Sequence, residues 1–116
     1  MSGEDVYGLL EEYSKKPYVV GTILTTKIGV PLVCNNEGVD SQLLASLVSL
    51  TYEGASELAN TTGVKFVQLN LELRNGSRII IRSIRDSFLI GVHLQKYDES
   101  IQKEITSLSS KVAEIL

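Results

Sequence analysis

The stretch from Val39 to Asn60 most constrains the fold, because it predicts a long helix that is apolar on more than one face. Two adjacent stripes recur at steps of three or four: Leu43, Leu47, Leu50, Gly54 and Leu58 in one, and Leu44, Val48, Tyr52, Ala55 and Ala59 in the other. Within this stretch, the only charged residues after Asp40 are Glu53 and Glu57. A helix with one solvated face would carry more, so we expect this one to pack on its own sheet and on a second surface.

The rest of the chain predicts an α-β-β-α-β-β-β-α order. We expect helices over residues 2–16, 39–60 and 98–116. We expect strands over residues 18–26, 30–34 and 64–74, then a strand that returns from the hairpin and ends at Ile84, and a last strand over residues 88–94. Ser2 is the expected cap of the first helix, and Pro17 stops it. Asp40 or Ser41 is the expected cap of the long helix, and Asp98 that of the last helix. Gly21 indicates the close approach of another element, and Gly63 the left-handed end of the long helix.

Asn75-Gly76 predicts a two-residue type I′ hairpin, which places Leu71 opposite Ile80 and Leu69 opposite Arg82. Short turns make consecutive strands antiparallel neighbours. We therefore expect one α/β (α+β) domain over residues 1–116, with an antiparallel sheet of about five strands in three layers. The long helix would cover one face, and the terminal helices the other.

Bulk properties exclude several classes of protein. A net charge of −3 provides no positive field for nucleic acid. Cys34 is the only cysteine, which allows no intramolecular disulfide and fits a reducing cytosol. The acidic start of the chain lacks the pattern of a signal peptide, and no apolar run approaches the ~20 residues that span a bilayer. We expect a cytoplasmic protein without membrane insertion.

No catalytic, cofactor-binding or metal-binding residues are predicted. The sequence lacks GxGxxG and GxxxxGK[ST], His93 has no partner nearby in sequence, and Cys34 reads as a small apolar residue of an edge strand. Glu53 and Glu57 share a helix face, which favours a solvated helix end or a basic partner over an acid/base pair. The four arginines at 74, 78, 82 and 85 favour stems that cover the core rim, with a partner contact or nucleic acid as alternatives.

Two features instead predict self-association. The strand over 64–73 has charges only near its ends and no proline, and it forms the predicted edge opposite the Pro31 strand. Pairing this edge and the long helix with a second copy would cover both. The expected contact residues, for a dimer or another partner, are Ser46, Ser49, Leu50, Glu53, Glu57, Val64, Phe66, Gln68 and Asn70. The sequence does not decide which stripe faces the sheet. In our interpretation, Leu43, Leu47 and Leu50 face the core, and Ser46, Ser49 and Glu53 form the seam, the part of the helix that contacts the second copy.

The chain resembles the Roadblock family, which includes a dynein light chain and prokaryotic regulators of Ras-like GTPases. The resemblance rests on the long helix and on five other segments: Val19-Val20-Gly21-Thr22-Ile23, Gly29-Val30-Pro31-Leu32, Phe66-Val67-Gln68-Leu69, Ile79-Ile80-Ile81 and Phe88-Leu89-Ile90-Gly91-Val92. The similarity covers residues 4 to 96. It implies a profilin-like fold, a homodimer, no enzymatic activity and a Ras-like small GTPase as partner. The helix after Asp98 favours a GTPase-associated module over a dynein subunit.

Two alternatives stay open at this point. The protein is a structural subunit of a larger cytoplasmic complex, or it is a small-molecule sensor. The sensor hypothesis predicts a cavity lined by Tyr18, Phe66 and Phe88.

Overall fold

The computed structural model describes residues 5–116. The predicted order of elements is confirmed. The elements are α1 (Val6–Ser14), β1 (Val19–Thr26), β2 (Pro31–Asn35), α2 (Ser41–Asn60), β3 (Gln68–Glu72), β4 (Arg78–Ile84), β5 (Phe88–Leu94) and α3 (Glu99–Ile115).

Aspartates cap the three helices of residues 5–116: Asp5 for α1, Asp40 for α2 and Asp98 for α3. Asp5 accepts a hydrogen bond from the Gly8 amide at 2.7 Å, so α1 begins at Val6; the predicted cap Ser2 lies outside the described residues. Asp40 accepts from the amides of Gln42 and Leu43, so the expected cap at Asp40 is confirmed and α2 begins at Ser41. Each carboxylate satisfies amides that the first helical turn leaves unpaired.

The five strands form one antiparallel sheet in the order β2-β1-β5-β4-β3. The prediction that the Pro31 strand and the Gln68 strand lie at opposite edges is confirmed. Proline lacks an amide hydrogen to donate, which suits the first position of edge strand β2. The outer side of β3 pairs with no other strand of the described chain.

The sheet carries a separate core on each face. The face with α1 and α3 buries Leu10, Leu24, Ile80, Ile90, Val92, Leu94, Ile101, Ile105, Leu108 and Val112, among others. The face with α2 buries Ile23, Ala45, Val48, Tyr52, Ile81 and Leu89. The three-layer arrangement predicted from the sequence is therefore confirmed.

The predicted hairpin register is wrong by one residue. Leu71 pairs with Ile79 rather than Ile80, and Leu69 pairs with Ile81 rather than Arg82. The loop holds three residues ending in Gly76, whose φ of 88° and contact with the Leu73 carbonyl fit a three-residue turn. Since side chains alternate between faces, this shift turns Leu69 and Leu71 toward the α2 face of the sheet.

Two glycine predictions are confirmed. Gly63 has a φ of 76° just after α2, where a left-handed residue ends a helix. Gly21 lies directly under the side chain of Asn36, and a Cβ atom there would come 2.0 Å from the Asn36 Oδ1. The loop between β2 and α2 therefore closes over β1 at a point where any larger residue would have to displace the Asn36 side chain.

Candidate interaction surface

Helix α2 turns its Val48 stripe toward the sheet and its leucine stripe away from it. Ala45, Val48 and Tyr52 are buried. Leu43, Leu47, Leu50 and Leu58 are 58%, 51%, 63% and 71% exposed, and we call these four residues the leucine ridge. Our interpretation of Leu43, Leu47 and Leu50 as the core side is therefore wrong.

The close approach of α2 to the sheet explains this orientation. Gly91 of β5 lies beneath the helix, and a Cβ atom there would be 3.0 Å from the Ile23 Cγ2 and 3.7 Å from the Val48 Cγ2. Small or β-branched side chains such as Ala45 and Val48 fit this narrow space, whereas a row of leucines would hold the helix further out. The less bulky stripe consequently packs inward.

The predicted seam residues lie on the flank of α2 next to the β1–β2 turn. The Ser49 hydroxyl donates a 2.6 Å hydrogen bond to the Lys27 carbonyl, and Gly29 approaches the Ser46 backbone. A cavity of about 650 Å³ lies between this flank and the turn. It is lined by Lys27, Ile28, Ser46, Ser49, Leu50, Tyr52, Glu53 and Ser56. Ser46, Glu53 and Glu57 are exposed, so this flank is open to a partner.

The predicted contact residues before and within β3 divide between the two faces of the sheet. Val64 is 68% exposed, and Phe66 packs on Tyr52 with 5.0 Å between ring centroids. Asn70 is exposed on the strand itself. The sequence analysis missed Val67, which is also 68% exposed and extends the apolar surface at this edge.

Gln68, another predicted contact residue, points to the opposite face and is engaged within the chain. Its Oε1 accepts from the Arg82 Nη1 at 2.9 Å and from the Gln102 Nε2 at 2.9 Å. The Gln102 Oε1 also accepts from Tyr97. These contacts connect α3 to β3. Because they occupy the Gln68 side chain, only the backbone of Gln68 can contact a partner at this edge.

The arginines of β4 lie at the rim of the core, as the sequence analysis favoured. Arg78 forms an ion pair with Glu72 at 3.1 Å and lies over the Tyr97 ring at 5.7 Å. Arg82 is half-buried beside Gln68. Their aliphatic stems cover the α3 side of the sheet while their guanidinium groups pair locally.

His93 and Cys34 show no catalytic arrangement. The His93 Nε2 lies 3.2 Å from the Ser77 hydroxyl, which donates to Asn75 at 2.6 Å. Burial raises the pKa of the Cys34 thiol, which keeps it protonated. Residues 5–116 contain no cluster of three or more metal-ligating side chains and no helix long and apolar enough to cross a bilayer.

No cavity among residues 5–116 brings Tyr18, Phe66 and Phe88 together. Tyr18 and Phe88 pack against the core under α1 and α3, whereas Phe66 packs on the α2 side of the sheet. The sheet separates them, so that prediction is wrong.

The titratable cluster most strongly perturbed lies on the face opposite α2. The Glu104 carboxylate accepts hydrogen bonds from both Tyr13 and Tyr18. Burial and the adjacent carboxylate raise the pKa of Tyr18 to about 12 and that of Tyr13 further. These contacts tie α3 to the junction of α1 and β1.

Fold and surface together define a class of protein: a sheet with a helix pair on one face and a single helix with an exposed leucine ridge on the other. This is the Roadblock fold, as the sequence resemblance implied. No family model matches the sequence, and no curated protein matches it significantly.

Solved structures match almost the whole chain. Myxococcus xanthus MglB superposes with a TM-score of 0.87 at 15% identity, covering 99% of this chain and 97% of that one. A Roadblock/LC7 domain from Streptomyces avermitilis gives 0.80 at 17% identity, covering 96% and 97%. An MglB structure described as having a tetrameric arrangement gives 0.83 at 14% identity, covering 99% and 93%. At these identities the likeness shows the fold alone.

Proposed function

We propose that this protein is a non-catalytic, single-domain interaction module that forms a homodimer and regulates or scaffolds a Ras-like small GTPase in the cytoplasm. The observation that carries the proposal is the leucine ridge. Four leucines, each more than half exposed, lie along one line of a 20-residue helix and point away from the sheet. Apolar surface of this kind marks a protein interaction site.

The edge of β3 supports a second copy as the first occupant. The same copy that covers the leucine ridge would meet the open side of β3 and the exposed apolar residues Val64 and Val67 beside it. A stable dimer buries about 800 Å² per partner, which requires a surface that combines a helix with neighbouring segments. The tetrameric MglB arrangement lends support from a similar fold.

The charge distribution of α2 favours an antiparallel pair. Residues 41–52 carry no charge, whereas Glu53 and Glu57 lie in the second half of the helix. Parallel pairing would bring the glutamates of both copies together. Antiparallel pairing places them beside the uncharged half of the partner and also opposes the helix dipoles.

Light scattering tests the dimer. At tens of micromolar we expect twice the 12.7 kDa chain mass. Leu50→Glu should give a monomer, because a carboxylate would be buried in an apolar seam. The control Ile115→Glu alters another exposed aliphatic residue (43%) on α3, behind the sheet, and should leave the mass unchanged. A monomeric parent protein would overturn the homodimer.

The GTPase role rests on the Roadblock resemblance together with the exposed α2 surface. The test uses purified Ras-like GTPases of the same cell, loaded with GDP or with a non-hydrolysable GTP analogue. We expect nucleotide-dependent binding by the parent protein. GTP turnover measured with and without the protein then separates a regulator from a structural subunit. Absence of binding in either nucleotide state would contradict the GTPase role while leaving the dimer intact.

A further inference from the structure

A second pocket lies at one end of the sheet, beneath the C-terminal half of α2. It has a volume of about 590 Å³. Three separate connections contribute to it: the β1–β2 turn, residues 65–67 before β3, and the β4–β5 turn. Tyr52 and Phe66 form one wall. The pocket is distinct from the leucine ridge, which lies on the outward side of the same helix.

Cations converge on this pocket although the chain as a whole is acidic. Lys27, Lys65 and Arg85 line it, one from each connection, against the single carboxylate of Asp86. None of the three forms an ion pair within residues 5–116, where the ion pairs are Lys15–Glu12 and Arg78–Glu72. The Lys27 ammonium lies 5.7 Å from the centroid of the Tyr52 ring. Unpaired positive charge from three elements favours an anion.

The Ser83 hydroxyl provides an uncharged donor at the same place. Ser83 lines the pocket, and its Oγ is buried without a hydrogen-bond partner among the described residues. A buried polar group without a protein partner costs free energy unless solvent or a ligand satisfies it. The Oγ is inaccessible in its present rotamer, so the Ser83 side chain would have to rotate to bring this hydroxyl to an acceptor oxygen in the pocket.

The turn that holds Arg85 adopts a conformation that its residue types disfavour. Arg85 and Asp86 have φ angles of 52° and 59°, and both are non-glycine residues. Two left-handed residues match the twist of a hairpin, but Asn-Gly or Asp-Gly is the usual pair. An arginine at this position is less stable in the left-handed conformation than a glycine would be, but it places its guanidinium group beside the pocket. Strain of this kind is concentrated at binding sites.

We propose that this pocket binds a small phosphate-bearing molecule. Lys27, Lys65 and Arg85 supply the positive charge, and Ser83 donates a hydrogen bond to a phosphate oxygen once its side chain rotates toward the pocket. The Tyr52–Phe66 wall accommodates whatever organic group carries the phosphate. Arginine and lysine suit this role because charge-assisted hydrogen bonds to phosphate are stronger than neutral ones. The site borders the proposed dimer surface at Val67, and its charged residues Lys27, Lys65 and Arg85 all come from one chain.

The test is an NMR titration of the isotope-labelled full chain at constant ionic strength. The probes are inorganic phosphate, pyrophosphate and adenosine monophosphate, with sodium chloride as the reference. We expect saturable shifts confined to the amides around Lys27, Lys65, Ser83 and Arg85. Tighter binding of adenosine monophosphate would assign the aromatic wall to the organic group, and equal affinity would assign the site to the phosphate alone.

Charge variants decide whether the pocket is responsible. Lys65→Gln and Arg85→Gln should each weaken binding by about tenfold or more, the effect of losing one charge-assisted hydrogen bond. Asp86→Asn should strengthen binding, which no loss of folding would imitate. Arg74→Gln is the matched control, because this exposed arginine lies in the β3–β4 turn and does not line the pocket. Shifts that fail to saturate, or equal losses with Arg74→Gln, would overturn the proposal.

Discussion

Leu47 and Val48 are neighbours in the chain and lie on different faces of α2: Val48 is 6% exposed and Leu47 is 51% exposed. The buried valine belongs to the core over Ile23 and Leu89. The exposed leucine belongs to the leucine ridge. This contrast separates the stability of the chain from its self-association.

Truncating the two residues should therefore have different effects. Val48→Ala should lower the free energy of unfolding by roughly 1.5–3 kcal/mol at every protein concentration, through lost burial and a small cavity. Leu47→Ala should lower the unfolding midpoint only at protein concentrations where the parent protein is dimeric. Its effect on the midpoint should therefore depend on protein concentration. Urea unfolding at two protein concentrations measures both. Equal, concentration-independent losses would contradict this orientation of α2.

Two glycines should respond to alanine in opposite directions. Gly54 lies in α2 with open space where a Cβ would be, so Gly54→Ala should stabilise the helix by about 0.5–1 kcal/mol. Gly76 has a φ of 88° in the β3–β4 turn, so Gly76→Ala should cost about 1–2 kcal/mol. Each variant is the other's control in urea unfolding. A neutral Gly76→Ala would argue against the three-residue turn.

The contact between Gly21 and Asn36 predicts a rescue. Gly21→Ala should destabilise the protein by about 1–3 kcal/mol, because the new Cβ would meet the Asn36 side chain. Asn36→Gly removes that side chain and should recover most of the loss in the double variant. A double-mutant cycle by thermal or urea unfolding measures the coupling. Additive effects would show that the two residues do not touch.

Alkaline pH should weaken the attachment of α3. The pKa of Tyr18 is raised to about 12 in the folded chain and that of Tyr13 further, against about 10 in the unfolded chain. The stability from these two groups is therefore complete below pH ~10 and is lost as pH rises toward the folded values. Unfolding followed from pH 8 to 11 should show this loss.

Glu104→Gln supplies the control for that pH dependence. Removing the carboxylate charge should lower the pKa of Tyr18 toward its ordinary value, since the hydrogen bond to Glu104 and its charge are causes of the shift after burial. Spectrophotometric titration of tyrosinate detects the change. An unaltered titration curve in the variant would contradict the Tyr18–Glu104 contact.

Much of the fold could be predicted from the sequence because local patterns specify it. Periodicity located all three helices within two residues or so in the described part of the chain, and the span of β5 was predicted without error. Pro31 marked an edge strand, and the unguarded pattern before Asn75 marked the other. These signals reside within single elements and need no knowledge of their neighbours.

The register of the β3–β4 hairpin shows where local patterns fail. Asn75-Gly76 suits a two-residue turn, yet Gly76 closes a three-residue loop. The alternation of apolar residues in β3 fits either register, because both faces of the sheet bury apolar side chains. The two registers differ in which residues of β4 lie beside Leu69 and Leu71. Only the assembled sheet selects the register that pairs them with Ile81 and Ile79.

The sequence by itself determined the order of the elements, the two edges and the excess of apolar surface on α2. Only the tertiary structure decided which stripe of α2 is buried, because both stripes are apolar and the local periodicity fits either orientation. Gly91 and Ile23 leave a shallow space that Ala45 and Val48 fill, so the leucine ridge remains outside. The phosphate-binding pocket that we propose likewise unites residues from three distant turns, which no local pattern connects.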